Sequence, residues 1–142
     1  RELLKSGAVA EAAEMLGRRH QVRGTVRAGE GRGRMLGVPT ANLEGVETLI
    51  PSVGVYVGCV RRDERVIPAA VNIGGNPTFG EEEQKLEVHL LDFDEDLYGQ
   101  ELGLEFCQRL RGVVSFDGVT ELKEQLQRDI ERVRQWSGSA GH

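Results

Sequence analysis

The sequences GVYVGCV at residues 54–60 and VIPAAVNI at residues 66–73 decide the fold class. Both are short apolar runs rich in β-branched residues, and the charged segment RRDER that separates them is typical of a hairpin turn. Pro68 in the second run cannot donate a backbone hydrogen bond, so it requires an edge position or a bulge. The two runs therefore predict an antiparallel pair of strands.

The short-strand pattern continues on both sides of this hairpin. A partly alternating run containing Val22, Thr25 and Val26 ends at Gly29. Later in the chain, LEVHLLDF at 86–93 and LGLEFCQRL at 102–110 predict a second pair of strands, joined through a turn-rich segment. Several short strands at close spacing predict a closed or nearly closed antiparallel barrel.

Helical periodicity is confined to the two ends of the chain. Residues 2–16 predict a short helix or helical pair, interrupted by Gly7 and ended by Gly17. Near the other end, an apolar stripe opposite a charged face predicts an amphipathic helix of about five turns that packs on the barrel, with Asp117 as N-cap. Residues 138–142 are expected to form a tail. The stripe consists of Val119, Leu122, Leu126, Ile130, Val133 and Trp136.

Length and charge restrict the class of protein. A chain of 142 residues is the size of one domain, and its net charge of -5 argues against a general nucleic-acid or anionic-membrane surface. No apolar run is long enough to span a membrane, and the first residues lack the apolar core of a signal peptide, so a cytoplasmic protein with small-molecule partners is expected. Cys59 and Cys107 are too few for a zinc site and are predicted to be buried, reduced thiols.

The segment GEGRGRMLGVPTANLEG at residues 29–45 is the most unusual stretch of the chain. It contains no lysine, which excludes a Walker loop, and its glycines follow GxGxxxG between strands, which excludes the dinucleotide fingerprint. Its glycines allow backbone amides to converge on an anion, and Arg32 and Arg34, together with Arg27 just before the segment, make this part of the chain basic. A surface loop with solvated arginines fits these residues equally well.

Three side chains offer oxygen chemistry. Pro39 stiffens the end of the loop, and alternation points Thr40 and Asn42 in the same direction, as a hydroxyl and amide pair suited to Mg²⁺. A turn closed by side-chain hydrogen bonds is the alternative. Glu87 could serve as a base for an attacking hydroxyl, and His89 on the same face could orient it. The alternative for Glu87 is the solvent face of an alternating strand, and the alternative for His89 is a structural histidine.

Taken together, the motifs resemble the riboflavin kinases, in particular the C-terminal kinase module of the bacterial bifunctional riboflavin kinase and FAD synthetase. The resemblance covers about residues 18–135 and implies a six-stranded antiparallel Greek-key barrel followed by a long C-terminal helix. The motifs that carry it, in the family's order, are GRGRMLGVPTAN at 31–42, GVY at 54–56, NIGGNPTF at 72–79, LEVHLLDF at 86–93, DLYG at 96–99 and RLR at 109–111.

The resemblance also implies a reaction and its residues. ATP would donate its γ-phosphoryl group to the 5'-hydroxyl of riboflavin, with Glu87 as base and with Thr40 and Asn42 holding Mg²⁺. Arg111 and Phe116, together with the start of the C-terminal helix, would complete the flavin pocket. The ATP phosphates would be covered by Gly29, Gly31, Arg32, Gly33, Arg34, Gly37, Val38 and Pro39.

The sequence departs from the family in two respects. Many bacterial members carry an arginine where Gly75 and Asn76 stand, which affects a detail of that loop. No residues match the motifs of the N-terminal adenylyltransferase module. Residues 1–17 are expected to be its helical remnant, residues 18–137 the kinase domain, and FAD synthesis is expected to be absent. Two other functions stay open: a non-catalytic flavin or nucleotide-binding barrel, and an interaction module that uses the amphipathic helix.

Overall fold

The computed structural model describes residues 8–10, 19–28, 41–47, 50–62, 64–76, 81–92, 97–112 and 118–139. In these ranges the chain forms strands β1 (Gln21–Ala28), β2 (Ala41–Glu44), β3 (Gly54–Arg62), β4 (Arg65–Asn76), β5 (Glu81–Leu90) and β6 (Glu101–Arg111), followed by helix α1 (Val119–Ser139).

The strands form a closed antiparallel barrel in the order β1-β2-β5-β4-β3-β6, with β6 returning to β1. The predicted hairpin is present as β3 and β4, which pair from Gly54 with Ile73 to Arg62 with Arg65. The closed barrel and its C-terminal helix confirm the predicted fold class.

The predicted pairing of the last two strand segments with each other is wrong. Strand β5 lies between β2 and β4, whereas β6 lies between β1 and β3. The connection between them starts beside β4, where the Leu91 amide donates to the Pro68 carbonyl at 2.9 Å, and it ends beside β1, where Gly99 and Gln100 bond to Val26. A connection of this length can carry the chain to a different pair of strands, so sequence adjacency did not determine the pairing.

Pro68 occupies a local edge, as its missing N–H requires. The last cross-strand pair of the β4–β5 ladder is Ala69 with Leu90. Pro68 lies one residue beyond that pair, where β5 has ended and only the carbonyl is needed to bond Leu91. The proline is therefore accommodated within a closed barrel.

The barrel interior is filled by alternate residues of all six strands. Tyr56 and Phe106 are fully buried there, and their rings meet edge to face with centroids 5.5 Å apart. Gly58 faces the same interior, and a Cβ added to it would lie 2.8 Å from a Val71 methyl group, so glycine is needed for close packing at this position.

Helix α1 covers the outer face of the barrel through its predicted apolar stripe. Val133 is buried against a second apolar cluster with Val57, Cys59 and Cys107, and Ile130, Leu110 and Trp136 pack around it. The helix continues to Ser139, so Gly138 is helical and the expected tail starts later than predicted. The N-cap candidate Asp117 lies outside the described residues.

The remaining predictions on the fold can be stated briefly. Val9 and Ala10 are helical, and Val9 belongs to the barrel core, but the rest of the predicted helix at 2–16 lies outside the described residues. Cys59 and Cys107 are buried free thiols, as predicted. Among the described residues, no helix is both long and apolar enough to cross a membrane.

Candidate active site

Five residues on the outer face of the barrel form one continuous row across five strands. The cross-strand register places Asn42 opposite Glu87, Glu87 opposite Asn72, Asn72 opposite Val55, and Val55 opposite Arg111. Directly opposed residues of antiparallel strands share a face and lie one strand spacing apart. We call this set the outer row. It brings together three predicted site residues that lie far apart in the sequence: Asn42, Glu87 and Arg111.

The row faces outward because its sequence neighbours fill the core. Leu86 and Val88 flank Glu87 and are 2% and 5% exposed, and both belong to the barrel interior. Strand alternation therefore turns Glu87 to the outer face, where it is half-buried. The same alternation around Val71 and Ile73 leaves Asn72 exposed.

Asn42 begins the row and has an unusual environment. Its side-chain Oδ1 atom is buried, and it accepts no hydrogen bond in the described part of the chain. A buried amide oxygen without a donor is costly in a folded protein, so it requires an explanation, and a bound ion or ligand is one such explanation. An amide oxygen is also a hard donor of the kind that Mg²⁺ prefers, and it lies next to a carboxylate. The residue therefore fits a cation site.

No group of three or more histidine, cysteine, aspartate or glutamate side chains that could hold a metal ion occurs among the described residues. Mg²⁺ needs no such group, because it commonly binds through one or two protein oxygens together with waters and substrate phosphates. Such a sparse protein ligand set is typical of Mg²⁺ sites that bind a nucleotide phosphate together with the metal.

Arg111 ends the row and is tied to helix α1. Its Nε and Nη2 atoms donate to the two carboxylate oxygens of Asp129 at 3.0 and 2.7 Å, and its Nη1 donates to the Gly112 carbonyl at 3.0 Å. Gln125, one turn earlier in the helix, donates to Asp129 at 3.0 Å. Arg111 lies three strand spacings from Glu87, about 14 Å along the sheet. The row therefore suits an elongated ligand.

The approach of β3 to this end of β6 depends on Gly54. A Cβ atom at Gly54 would lie 2.9 Å from the carbonyl oxygen of Arg111 and 3.0 Å from the Nε atom of Arg109. The backbone oxygen cannot move aside as a flexible side chain could. Glycine at the start of β3 is thus part of what positions Arg111.

Comparison with known proteins identifies the family of the chain. Residues 16–137 match the riboflavin kinase family. The chain belongs to the riboflavin kinase family. It is 34% identical over 140 residues to a bifunctional riboflavin kinase/FMN adenylyltransferase of Haemophilus influenzae, and 36% identical over 143 residues to the enzyme of that name in Bacillus subtilis. These alignments cover 98% and 96% of the chain but only 46% and 45% of the relatives.

Two solved structures share the fold. A riboflavin kinase from Trypanosoma brucei matches with a TM-score of 0.57 at 23% identity, covering 84% of this chain and 80% of the other. A protein from Streptococcus pneumoniae named a macrolide-efflux protein matches with a TM-score of 0.87 at 37% identity, covering 95% of this chain and 45% of the other. The six-stranded barrel with one C-terminal helix is thus a riboflavin kinase fold.

The remaining residues predicted from the family resemblance lie outside the described residues. They are Gly29, Gly31, Arg32, Gly33, Arg34, Gly37, Val38, Pro39, Thr40 and Phe116. The described residues on either side of 29–40, Ala28 and Ala41, are directly opposed in β1 and β2, and Ala41 directly precedes Asn42.

Asn72, Asp129 and Gln125 are candidate site residues that the sequence analysis did not identify. Asn72 was recognised only as part of a family motif, and its place beside Glu87 depends on strand register. Asp129 had a signal in the sequence. It lies three residues after Leu126 and four before Val133, so a carboxylate interrupts the apolar stripe of the riboflavin kinase helix.

A second polar cluster lies under the C-terminal half of α1, away from the outer row. Cys107 donates through its thiol to Cys59 at 3.7 Å, and Cys59 donates to Glu105 at 3.4 Å. The hydrogen bond to Cys59 and burial raise the pKa of the Cys107 thiol, while the bond that Cys59 receives lowers the pKa of Cys59. Arg19 packs over Trp136 at 5.3 Å from the ring centroid and completes the cluster. The thiol contacts join β3 to β6, and the contact of Arg19 with Trp136 joins helix α1 to the residues that precede β1.

Proposed function

We propose that this chain transfers the γ-phosphoryl group of ATP to the 5'-hydroxyl of riboflavin, giving FMN and ADP. The bond between the γ-phosphorus and its bridging oxygen breaks, a bond to the 5'-oxygen forms, and the hydroxyl proton passes to a base. Because the chain spans less than half the length of the bifunctional relatives, this activity is a proposal for the chain itself.

The observation that carries the proposal is the order of residues in the outer row. A cation-type ligand (Asn42), a carboxylate (Glu87) and an arginine (Arg111) follow one another across the sheet. Riboflavin has its reacting hydroxyl at one end of a polyol chain and an aromatic ring system at the other. An elongated molecule laid along the row can therefore place its hydroxyl at Glu87 and its ring at Arg111.

Glu87 acts as the base in this proposal. It is half-buried beside Asn42, so its carboxylate is close to the position expected for the phosphates. A carboxylate that accepts the hydroxyl proton late in the transfer suits a loose phosphoryl-transfer transition state, where positioning and charge stabilisation provide most of the rate enhancement.

Thr40 and Asn42 would hold the Mg²⁺ ion that accompanies ATP. When bound, the ion neutralises charge on the β- and γ-phosphates. The Oδ1 atom of Asn42 is buried and accepts no hydrogen bond from the described residues, which supports its part in this site. The glycine-rich segment from Gly29 to Pro39 would cover the phosphates through its backbone amides and arginines, because it departs from the Ala28–Ala41 pair beside Asn42.

Further parts of the proposal concern the ring end and the intact protein. Phe116 follows Arg111 closely in the sequence and would contact the isoalloxazine ring. We expect a cytoplasmic enzyme that is joined to an N-terminal adenylyltransferase module in the intact protein. The 142 residues themselves should not form FAD, because residues 16–137 of them match the kinase family.

The direct test is to incubate the purified chain with riboflavin, ATP and Mg²⁺ and to separate the flavins by chromatography. FMN should appear together with an equal amount of ADP, and omission of Mg²⁺ should suppress both. Absence of FMN from a protein with the circular dichroism of a folded barrel would refute the proposal. Flavin binding without turnover would instead favour a non-catalytic flavin-binding barrel.

A further inference from the structure

The ion pair between Arg111 and Asp129 is the most buried charged contact that the described residues show. The Arg111 and Asp129 side chains are 17% and 4% exposed, and the shorter of their two hydrogen bonds is 2.7 Å. The bond through Nε and the bond through Nη2 form a bidentate pair, which fixes the plane of the guanidinium group as well as its position. The arginine at the end of the outer row is therefore held in one orientation.

Stability alone does not explain this pair. Removing two charges from water costs several kcal/mol, and well-packed apolar residues in place of a buried ion pair are often as stable or more stable. Asp129 lies within the apolar stripe of α1, where a leucine or valine would continue the packing. A carboxylate at this position is better explained by what it does to Arg111.

Asp129 leaves part of Arg111 available to a ligand. A guanidinium group has five N–H donors. The described contacts use one each on Nε, Nη1 and Nη2, so one N–H remains on each of the two terminal nitrogens. A planar guanidinium group held in this way can also stack on an aromatic ring. Both properties suit the carbonyl-bearing ring system of a flavin.

We propose that Asp129 is a positioning residue that orients the Arg111 guanidinium group for the flavin ring, with Gln125 supporting the Asp129 carboxylate. This inference rests on the proposed function, because it assumes that the ring lies at the Arg111 end of the outer row. Asp129 contacts no substrate in this arrangement. Helix α1 thereby sets the geometry of the ring site on the barrel.

The test uses Asp129→Asn, which preserves shape but removes the negative charge. Riboflavin affinity is measured by quenching of flavin fluorescence, which needs no turnover, and KM values for riboflavin and ATP are measured separately. The dissociation constant of riboflavin and its KM should rise about tenfold, while the KM of ATP should change less than about twofold. Gln125→Ala, which leaves the ion pair in place, should show a smaller loss of the same kind.

Asp92→Asn is the matched control. Asp92, in the turn after β5, also forms a bidentate contact with the helix, to Arg134 at 2.7 and 3.0 Å, and it lies outside the outer row. Its replacement should leave riboflavin affinity unchanged. The last variant combines Asp129→Asn with Arg111→Lys, which keeps the positive charge but removes the planar guanidinium group. Because no guanidinium group is left to orient, adding Asp129→Asn to Arg111→Lys should weaken riboflavin binding by less than about threefold.

The outcomes separate the two proposals. If the wild-type chain makes FMN but Asp129→Asn and Gln125→Ala bind riboflavin as tightly as wild type, the positioning role is refuted. An equal loss of ATP and riboflavin affinity, or the same loss with Asp92→Asn, would also refute it, because it would indicate general loosening of the helix. If the wild type makes no FMN, the proposed function fails, and the binding measurements still decide whether Asp129 acts on a flavin site.

Discussion

Replacing Asn42 with valine should stabilise the free protein while weakening its response to nucleotide. The Oδ1 atom of Asn42 is buried, with no donor among the described residues, so the folded state carries an amide that was hydrated in the unfolded chain. Valine removes this oxygen atom, and it has a higher strand propensity than asparagine. The free energy of unfolding should therefore increase.

The size of the gain can be worked out from a neighbouring control. An unsatisfied buried polar group costs about 1–3 kcal/mol. Asn72→Val makes the same chemical change on the other side of Glu87, but Asn72 is exposed and water satisfies its amide. Any gain in strand propensity is common to both variants. The difference between them, about 1–3 kcal/mol in favour of Asn42→Val, measures the cost of the unsatisfied oxygen, and it corresponds to a melting temperature higher by about 3–10 °C.

The second half of the experiment adds MgATP. A ligand at 100 times its dissociation constant raises the free energy of unfolding by about 2.7 kcal/mol. If loss of the Asn42 oxygen weakens binding tenfold, the same ligand concentration would add only about 1.4 kcal/mol. Thermal and urea unfolding of wild type, Asn42→Val and Asn72→Val, each with and without MgATP, measure both effects.

Two results would contradict this reasoning. If Asn42→Val unfolds more easily than Asn72→Val without ligand, the Asn42 side chain makes a stabilising contact and is not an orphaned ligand atom. If the variant is stabilised by MgATP as strongly as wild type, Asn42 does not contribute to the metal-nucleotide site, whatever its effect on stability.

Three further predictions test other parts of the site. Glu87→Gln should lower kcat by at least about 100-fold with little change in melting temperature, because it removes the base and keeps the shape; FMN formation near the wild-type rate would exclude Glu87 as base. Gly54→Ala should lower the free energy of unfolding in urea by about 1–3 kcal/mol and weaken riboflavin binding, because the new Cβ would lie 2.9 Å from the Arg111 carbonyl oxygen. Unchanged riboflavin binding would show that Gly54 does not position the ring site. The hydrogen bond from Arg134 lowers the pKa of Asp92 in the folded protein. The contact between Asp92 and Arg134 therefore stabilises the fold above the ordinary carboxyl pKa of about 3.9, and this stabilisation is lost as the pH falls through the lower pKa of the folded state. An NMR titration of Asp92 should find this lower midpoint, and Arg134→Gln should return it to the ordinary range.

Local sequence patterns predicted five of the six strands and the long helix, because alternation and helical periodicity are properties of neighbouring residues, but they missed the four-residue strand β2 (Ala41–Glu44). The hairpin of β3 and β4 and the apolar stripe of α1 are examples of correct predictions. The pairing of distant strands was not accessible in this way. The segment before β6 could have returned to β5, and nothing in its composition indicated that β6 would instead lie between β1 and β3.

The candidate site likewise contains residues that the sequence motifs identified and residues that only the strand register identified. Glu87, Asn42 and Arg111 were identified through the motifs that carry the family resemblance, since composition and spacing left both Glu87 and the glycine-rich segment ambiguous. The register of the barrel then showed that the three belong to one row. Asn72 emerged only from that register, whereas Asp129 could have been noticed as a carboxylate within an apolar helical stripe.

The outer row depends on the core that lies beneath it. Side chains alternate along a strand, so a slip of one residue in β5 would turn Glu87 into the interior and expose Leu86 and Val88. Burial of these two residues therefore fixes which face Glu87 occupies, and their partners in β2 and β4 fix its neighbours. Substitutions that disturb Leu86 or Val88 should thus impair the site as well as stability, although neither side chain can reach a substrate on the outer face. The chemistry of the row is positioned by apolar packing on the opposite face of the same strands.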